Sequence, residues 1–170
     1  PESHTMEQSF VQPLDQPHIA ANSAGLRFEL LSHGAPGRMD GAGVAINLFP
    51  GHEVEGGVAN LWLRRHIPGG AGRIEAVPLL GPLSPLQFGF GPYGCHAAGR
   101  WEDLEIELQL RLAQDAPAWF WHVRVVNVAA QGNAAVDVVL VQDIGLAPYA
   151  SVRLNEHYVS HYVDLQPLEH

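Results

Sequence analysis

The chain has little of several things that would assign it to a particular class of protein. It contains a single cysteine, Cys95, so no disulfide can form within it, which favours a reducing compartment. No apolar run reaches the roughly 18–20 residues that a membrane-spanning helix needs. The longest run, residues 134–141, is interrupted by Asp137. No basic segment followed by an apolar one marks a secretory signal, and we therefore expect a cytoplasmic protein.

Basic residues are also scarce. Lys and Arg number 9 against 18 Asp and Glu, which gives a formal net charge of −9. Nucleic acid is therefore excluded as a partner, because phosphate binding needs a basic face, and acidic sugars are disfavoured for the same reason. A neutral ligand suits this charge balance better. Of the 170 residues, 46% are hydrophobic and only 16% are charged, which predicts one folded domain with a substantial core.

The sequence does contain many short apolar segments separated by turn signals. Between Asp103 and Leu112, five aliphatic residues alternate strictly with Glu, Gln and Arg, which predicts a strand with one buried and one solvated face. Residues 118–128 are rich in aromatic and β-branched side chains, and a Gln-Gly-Asn turn leads on to 135–142. We interpret these last two segments as an antiparallel hairpin.

Together these patterns predict an all-β fold, an antiparallel β-sandwich. The sandwich is expected to span residues 25–167. Residues 1–24 are polar and are interpreted as an N-terminal arm, and 168–170 as the remnant of a purification tag.

Ten histidines raise the question of a metal site. His157 and His161 have a spacing that would place both rings on one face of a helix, where they could share an ion. The Val and Tyr residues around them favour an extended segment instead, in which the two side chains lie about 13 Å apart. No native metal site is predicted. Cys95 precedes His96, but neighbours in a strand point to opposite faces, so Cys95 is expected to be structural.

Carboxylates and aromatics are candidates for sugar chemistry. Asp143, Glu156 and Asp164 are of the residue type that cleaves glycosidic bonds, and each could equally cap a turn. Trp119 and Trp121 share one face of their predicted strand, where they can serve either as core or as platforms for a sugar ring.

The stretch from Arg153 to Leu168 is unusually dense in polar and aromatic groups, and we expect it to meet a ligand or another part of a larger protein. The predicted ligand-binding residues are Gln142, Asp143, Arg153, Asn155, Glu156, Tyr158, Tyr162 and Trp101.

Two segments near the end of the chain also carry a family resemblance: Gln142-Asp-Ile-Gly-Leu-Ala147, and Val152-Arg-Leu-Asn-Glu-His-Tyr-Val-Ser-His-Tyr-Val-Asp164. They resemble the N-terminal β-sandwich region of inverting glycoside phosphorylases acting on cellobiose, chitobiose and 1,2-β-oligoglucans, and of the phosphorylase-like part of cyclic β-1,2-glucan synthetases. In one departure, His157 and His161 stand where the family pattern has Tyr and Gln.

The resemblance implies a galactose-mutarotase-like super-sandwich, or part of one, that precedes an (α/α)6 helical barrel. In such enzymes the barrel carries the general acid and inorganic phosphate is the nucleophile. It follows that this chain is expected to hold no catalytic residue and no cofactor. It is expected to support or bind a β-gluco-oligosaccharide, to contact the barrel of its parent and to form a homodimer. In a cyclic glucan synthetase it would lie on the cytoplasmic side of the inner membrane.

Two alternatives from other classes stay open. One is a self-contained mutarotase-like enzyme with a histidine and a carboxylate on one sheet, such as His122 with Glu156. The other is an interaction domain without a ligand.

Overall fold

A computed structural model of the chain describes residues 16–69 and 72–167. Most of the predicted arm and the whole of the predicted tag remnant lie outside these residues. The strands in this part of the chain are β1 His18–Ala21, β2 Arg27–Leu30, β3 Pro36–Gly41, β4 Val44–Ala45, β5 Asn60–His66, β6 Ile74–Pro78, β7 Leu86–Gly91, β8 Gly94–Trp101, β9 Leu104–Leu112, β10 Trp119–Asn127 and β11 Ala135–Val141. A helix, α1, spans Tyr149–Ser160.

The strands form three antiparallel sheets, in the orders β1-β2-β3-β4, β10-β9-β8-β7 and β11-β5-β6. The predicted all-β sandwich is thus confirmed. Since β1 pairs with β2 along its whole length, the first sheet already begins within the last residues of the predicted arm. In the part of the chain that the structure describes, no helix is long and apolar enough to cross a membrane.

The core is organised by β9, whose strict alternation is the strongest signal in the sequence. Its inward side chains are all buried: Leu104, Ile106, Leu108, Leu110 and Leu112. The N-terminal half of this row packs with residues from β5 and the segment after β6, and the C-terminal half packs with β1, β2 and β3. One strand therefore ties the three sheets together, and its other face is left to solvent.

The predicted hairpin between residues 118–128 and 135–142 is wrong. β10 pairs with β9 over nine residue pairs, and β11 pairs with β5 in a different sheet. The turn between the two strands therefore carries the chain from one sheet to the other. Pairing with β5 sets Asp137 opposite Arg64, and the two form an ion pair. A partner of opposite charge stabilises this register.

The extended segment predicted around residues 153–163 is also wrong, because most of it belongs to α1. Val152 is buried against Ala45 and Leu48, and Val159 packs at the edge of the same small cluster. The helix therefore contacts this cluster both near its N-terminus and near its C-terminus. The helix is kinked at Asn155, whose φ of −157° and ψ of 53° are not helical.

Candidate functional site

The sequence-predicted site residues do not converge. Gln142 and Asp143 follow β11 and make internal hydrogen bonds. The backbone N–H of Phe49 donates to Oδ2 of Asp143 at 2.6 Å, and Nε2 of Gln142 donates to the carbonyl of Asp143 at 2.9 Å. The first bond fastens the segment after β11 to the loop that follows β4, and the second is local to the segment. Both side chains have a structural role in the conformation described.

The predicted residues of the C-terminal stretch lie on or just after α1. Arg153, Asn155 and Tyr158 are exposed and Glu156 is half-buried. Tyr162 follows the helix and lines a shallow cavity of about 290 Å³ together with Val159, Asp164 and the segment 145–147. This stretch therefore offers a small surface of its own, apart from Gln142 and Asp143.

The helix changes the relation between the two histidines at its C-terminal end. The rings of His157 and His161 have centroids 4.8 Å apart, whereas an extended segment would separate them widely. The pair has no third partner, since no group of three or more His, Cys, Asp or Glu residues in the described ranges is arranged to hold a metal ion.

The tryptophans near the sheets divide in a similar way. Trp101, the remaining predicted residue, lies at the end of β8 and packs against the core, as does Trp121 on β10. Trp119 meets the ring of Phe28 edge to face, with centroids 5.3 Å apart. These three rings therefore contribute to the core. Trp62 is different, because 37% of it is exposed on β5.

A more coherent set of functional groups lies on the solvent side of the β7–β10 sheet, which we call the outer face. The strand register aligns four positions across it: Gly89 on β7, His96 on β8, Gln109 on β9 and His122 on β10. His96, Gln109 and His122 are all exposed. A row of two imidazoles and one amide is thus presented to solvent by three adjacent strands.

The neighbouring rows add charge and an aromatic ring. Arg111 lies opposite Phe120 on one side of the row, and Glu107 lies opposite Arg124 on the other. Nη1 of Arg124 donates to Oε1 of Glu107 at 2.9 Å, so these two charges are largely compensated. Phe120 is 52% exposed, which is unusual for a large aromatic side chain on a sheet surface.

Three hollows adjoin on the outer face. The first, about 360 Å³, lies over the backbone of Gly94, the second, about 460 Å³, over Ala98, and the third, about 280 Å³, beside Phe120. Four residues, which we call the central quartet, each line two of them: His96, Gln109, Arg111 and His122. The hollows therefore form one continuous surface around these four side chains.

Glycines shape this surface. A Cβ at Gly89 would come within 2.5 Å of Nε2 of His96, so the imidazole lies over the bare backbone of β7. A Cβ at Gly94 would collide with the backbone carbonyl of Leu110, so this position can carry no side chain. The missing side chain at Gly89 leaves room for the His96 ring, and the one at Gly94 lets β8 approach β9 closely.

Cys95 lies beneath the outer face and is only 4% exposed. Burial raises the pKa of its thiol to about 11, although a hydrogen bond with the backbone of Leu110 acts in the opposite direction. The thiol is therefore protonated at neutral pH and is a poor nucleophile.

Sequence reasoning missed the outer face as a unit. It did predict that the Glu, Gln and Arg residues between Asp103 and Leu112 share the solvated side of their strand, and that Trp119 and Trp121 share one face of theirs. What it lacked was the register between β8, β9 and β10, which aligns His96 with Gln109 and His122. Register depends on packing across the sheet and leaves little local trace in the sequence.

The fold and the outer face together define an all-β sandwich module with a polar surface on one sheet. A family model described as the SOGP N-terminal domain matches residues 29–170, and the chain belongs to this family. The chain is also similar to a 1,2-beta-oligoglucan phosphorylase from Listeria innocua serovar 6a, with 29% identity over 126 residues. The match covers 74% of this chain and 10% of that relative. The resemblance to glycoside phosphorylases is thus confirmed in its coarser form, as a related domain.

Proposed function

We propose that this chain is a non-catalytic N-terminal domain of a glycoside phosphorylase or a β-glucan synthetase-like protein, and that it binds or supports β-linked gluco-oligosaccharides. The observation that carries the proposal is the match of residues 29–170 to the SOGP N-terminal domain. The relative's printed activity, toward a 1,2-β-oligoglucan, supplies the ligand class.

The outer face supports a binding role because its chemistry suits a neutral polyhydroxylated ligand. A hydroxyl both donates and accepts hydrogen bonds, and so do an amide and a neutral imidazole. Gln109, His96 and His122 provide these groups side by side. The net charge of −9 disfavours an anionic ligand.

Isothermal titration of the chain with β-1,2- and β-1,4-gluco-oligosaccharides tests the binding role. We expect saturable heat with at least one β-linked series at millimolar ligand or below. An α-1,4-linked series of equal length serves as the matched control and is expected to give no saturable heat. Absence of heat with every β-linked ligand would remove the binding role and leave the supporting one.

The supporting role concerns the parent protein. In this proposal the parent supplies an (α/α)6 barrel with the general acid, uses inorganic phosphate as co-substrate, needs no other cofactor and is cytoplasmic. A homodimer is also proposed. The isolated chain should then release no sugar phosphate from β-glucans in the presence of phosphate, whereas the parent should. Phosphate-dependent release by the chain alone would contradict a non-catalytic role.

One observation favours a second candidate function, a mutarotase-like activity on a free sugar. His96, His122 and Glu107 line the same hollow, so two imidazoles and a carboxylate lie near one another. Glu156 cannot take the place of Glu107 on this face, because its helix packs against β4 in a different sheet. Polarimetry on freshly dissolved α-glucose decides this candidate. An unchanged rate of optical rotation in the presence of the chain excludes it.

A further inference from the structure

The outer face holds groups that no part of the fold uses. Among the described residues, the side chains of Gln109 and His122 make no hydrogen bond and belong to no core cluster, and Arg111 makes no ion pair. Side chains on the solvated face of a sheet are usually charged and scattered, whereas here two imidazoles, an amide and a guanidinium are grouped. We propose that the central quartet is the binding site for the β-gluco-oligosaccharide, an inference that rests on the proposed function.

The central quartet extends over a wide area of the outer face. His96 and His122 are two strands apart, about 10 Å, and Arg111 lies one inter-row spacing, about 7 Å, from Gln109. The quartet therefore covers an area wider than a single sugar ring. The hollows on either side extend it further, over Ala98 in one direction and toward Phe120 in the other. A linear oligosaccharide can lie across the quartet with neighbouring rings in different hollows.

Hydrogen-bonding and aromatic side chains surround the hollows together. The Gln109 amide offers a donor and an acceptor to a ligand in either of the first two hollows, and each imidazole offers one of each. Phe120 at the end of the third hollow and Tyr93 beside the first are 52% and 50% exposed. Flat aromatic surfaces suit the apolar C–H face of a pyranose, so the patch provides both kinds of contact that a sugar needs.

Most of the charged groups around the quartet lie beside a group of opposite charge. Glu107 compensates Arg124 in the second hollow, and Glu105 lies next to Arg100 across the β8–β9 ladder. Arg111 is then the main positive group that a ligand can reach. A single guanidinium can donate to several hydroxyls without requiring an anion. Arg111 can therefore serve a neutral glucan as a hydrogen-bond donor.

Gly89 determines where the ring of His96 can lie. Because the imidazole occupies the space of a missing side chain at Gly89, a methyl group there must push the ring aside. The φ of Gly89 is not in the left-handed region, so alanine suits the backbone and the change acts mainly on His96. Gly89 is therefore a positioning residue, and Gly89→Ala tests the site without removing any polar group.

The experiment is a titration of the chain and four variants with a β-1,2-gluco-oligosaccharide, trimer to pentamer. Gln109→Ala and His122→Ala are each expected to weaken binding about tenfold, the loss of one or two hydrogen bonds, and Gly89→Ala to weaken it severalfold. Glu55→Ala, which alters an exposed residue of the loop between β4 and β5, is the matched control and should bind as the unaltered chain does. Circular dichroism and thermal unfolding verify that each variant is folded.

The outcomes separate this inference from the proposed function. If the unaltered chain binds and the three outer-face variants bind equally well, the site is elsewhere and the proposed function still holds. If the Glu55 variant loses as much affinity as the outer-face variants, the loss is not specific to the quartet and this inference is contradicted. If the unaltered chain gives no heat, the proposed binding role fails and this inference fails with it. Amide chemical shifts of Ala98 and Gln109 in a labelled sample provide a second readout and should move on titration.

Discussion

Arg64 on β5 donates two hydrogen bonds to the carboxylate of Asp137 on β11, from Nε to Oδ1 at 2.6 Å and from Nη2 to Oδ2 at 2.9 Å. Nε2 of His66 lies 2.8 Å from the same Oδ2. The three side chains sit on the solvent side of the β11-β5-β6 sheet and join its edge strand to its central strand. A carboxylate held by two partners is stabilised in its charged form.

This pair predicts a pH dependence of stability. The hydrogen bond from Arg64, followed by that from His66, lowers the pKa of Asp137 from 3.8 to about 2. Because the folded-state pKa is the lower one, the pair contributes stability above about pH 4 and loses it as the pH falls toward 2. We therefore expect Asp137→Asn to lower the melting temperature at pH 6 and to have a much smaller effect near pH 2.

Thermal unfolding of both chains between pH 6 and pH 2 checks this prediction. Asp115→Asn, at an exposed loop position, serves as the control and should not change the profile. Since the pair is well solvated, the difference should be small and should shrink further in high salt. A gap between Asp137→Asn and the unaltered chain that stays constant over this range would contradict the assignment.

Two glycines with the same backbone conformation predict different costs of substitution. Gly34 and Gly43 have φ values of +75° and +83°, so alanine at either costs about 1–2 kcal/mol in backbone strain. At Gly34 the new methyl group would also enter the ring of Phe88, whereas at Gly43 nothing lies within 4 Å. We expect Gly34→Ala to be the more destabilising, because Phe88 must move within the core. Denaturant unfolding measures the difference, and equal costs would show that Phe88 yields freely.

The burial of Val152 indicates how firmly α1 is held to the sandwich. Val152 is 1% exposed and packs on Ala45 and Leu48, so Val152→Ala should cost about 2 kcal/mol. Leu154→Ala is the matched control, since 86% of Leu154 is exposed and its truncation should cost almost nothing. Hydrogen exchange of the helix amides should accelerate in the first variant only. Equal exchange in both would mean that the small cluster does not anchor the helix.

We expect the thiol of Cys95 to react slowly with alkylating reagents. Its sulfur is buried and its pKa is raised to about 11, so it should resist alkylation by iodoacetamide at pH 8 in the folded chain. The same reagent should label it rapidly in denaturant, which is the control for reagent quality. Mass spectrometry of both samples gives the answer, and fast labelling of the folded chain would show that β8 opens easily.

Secondary structure was predicted most accurately where the local side-chain pattern and the tertiary packing favour the same structure. The alternation of β9 gave a strand with the correct buried face, because a period of two survives whatever the strand pairs with. The sequence-predicted site residues are dispersed in the structure, because Gln142 and Asp143 make internal hydrogen bonds, Trp101 packs against the core, and most of the others lie on α1. The valines and tyrosines of α1 have high strand propensity, and a small tertiary cluster outweighed that preference.

Which strands pair with each other could not be predicted from the sequence either. Residues 118–128 and 135–142 are both strands and a turn lies between them, yet they pair in different sheets. β11 pairs with β5, far earlier in the chain, and this long-range pairing outweighs the local turn signal, while β10 pairs with β9, the strand before it. The same pairing creates the outer face, which explains why the fold class was predictable and the candidate site was not.

The position of β11 has a consequence for how the isolated chain behaves at high concentration. In the described residues β11 is the outermost strand of its sheet, and Val138 and Leu140 are 40% and 56% exposed beside its unpaired backbone groups. Its only charge, Asp137, is already engaged by Arg64 and so gives little electrostatic protection against an incoming strand. Two molecules meeting along this strand would merge their three-stranded sheets into a single six-stranded one, with the Arg64–Asp137 pairs of both copies left intact.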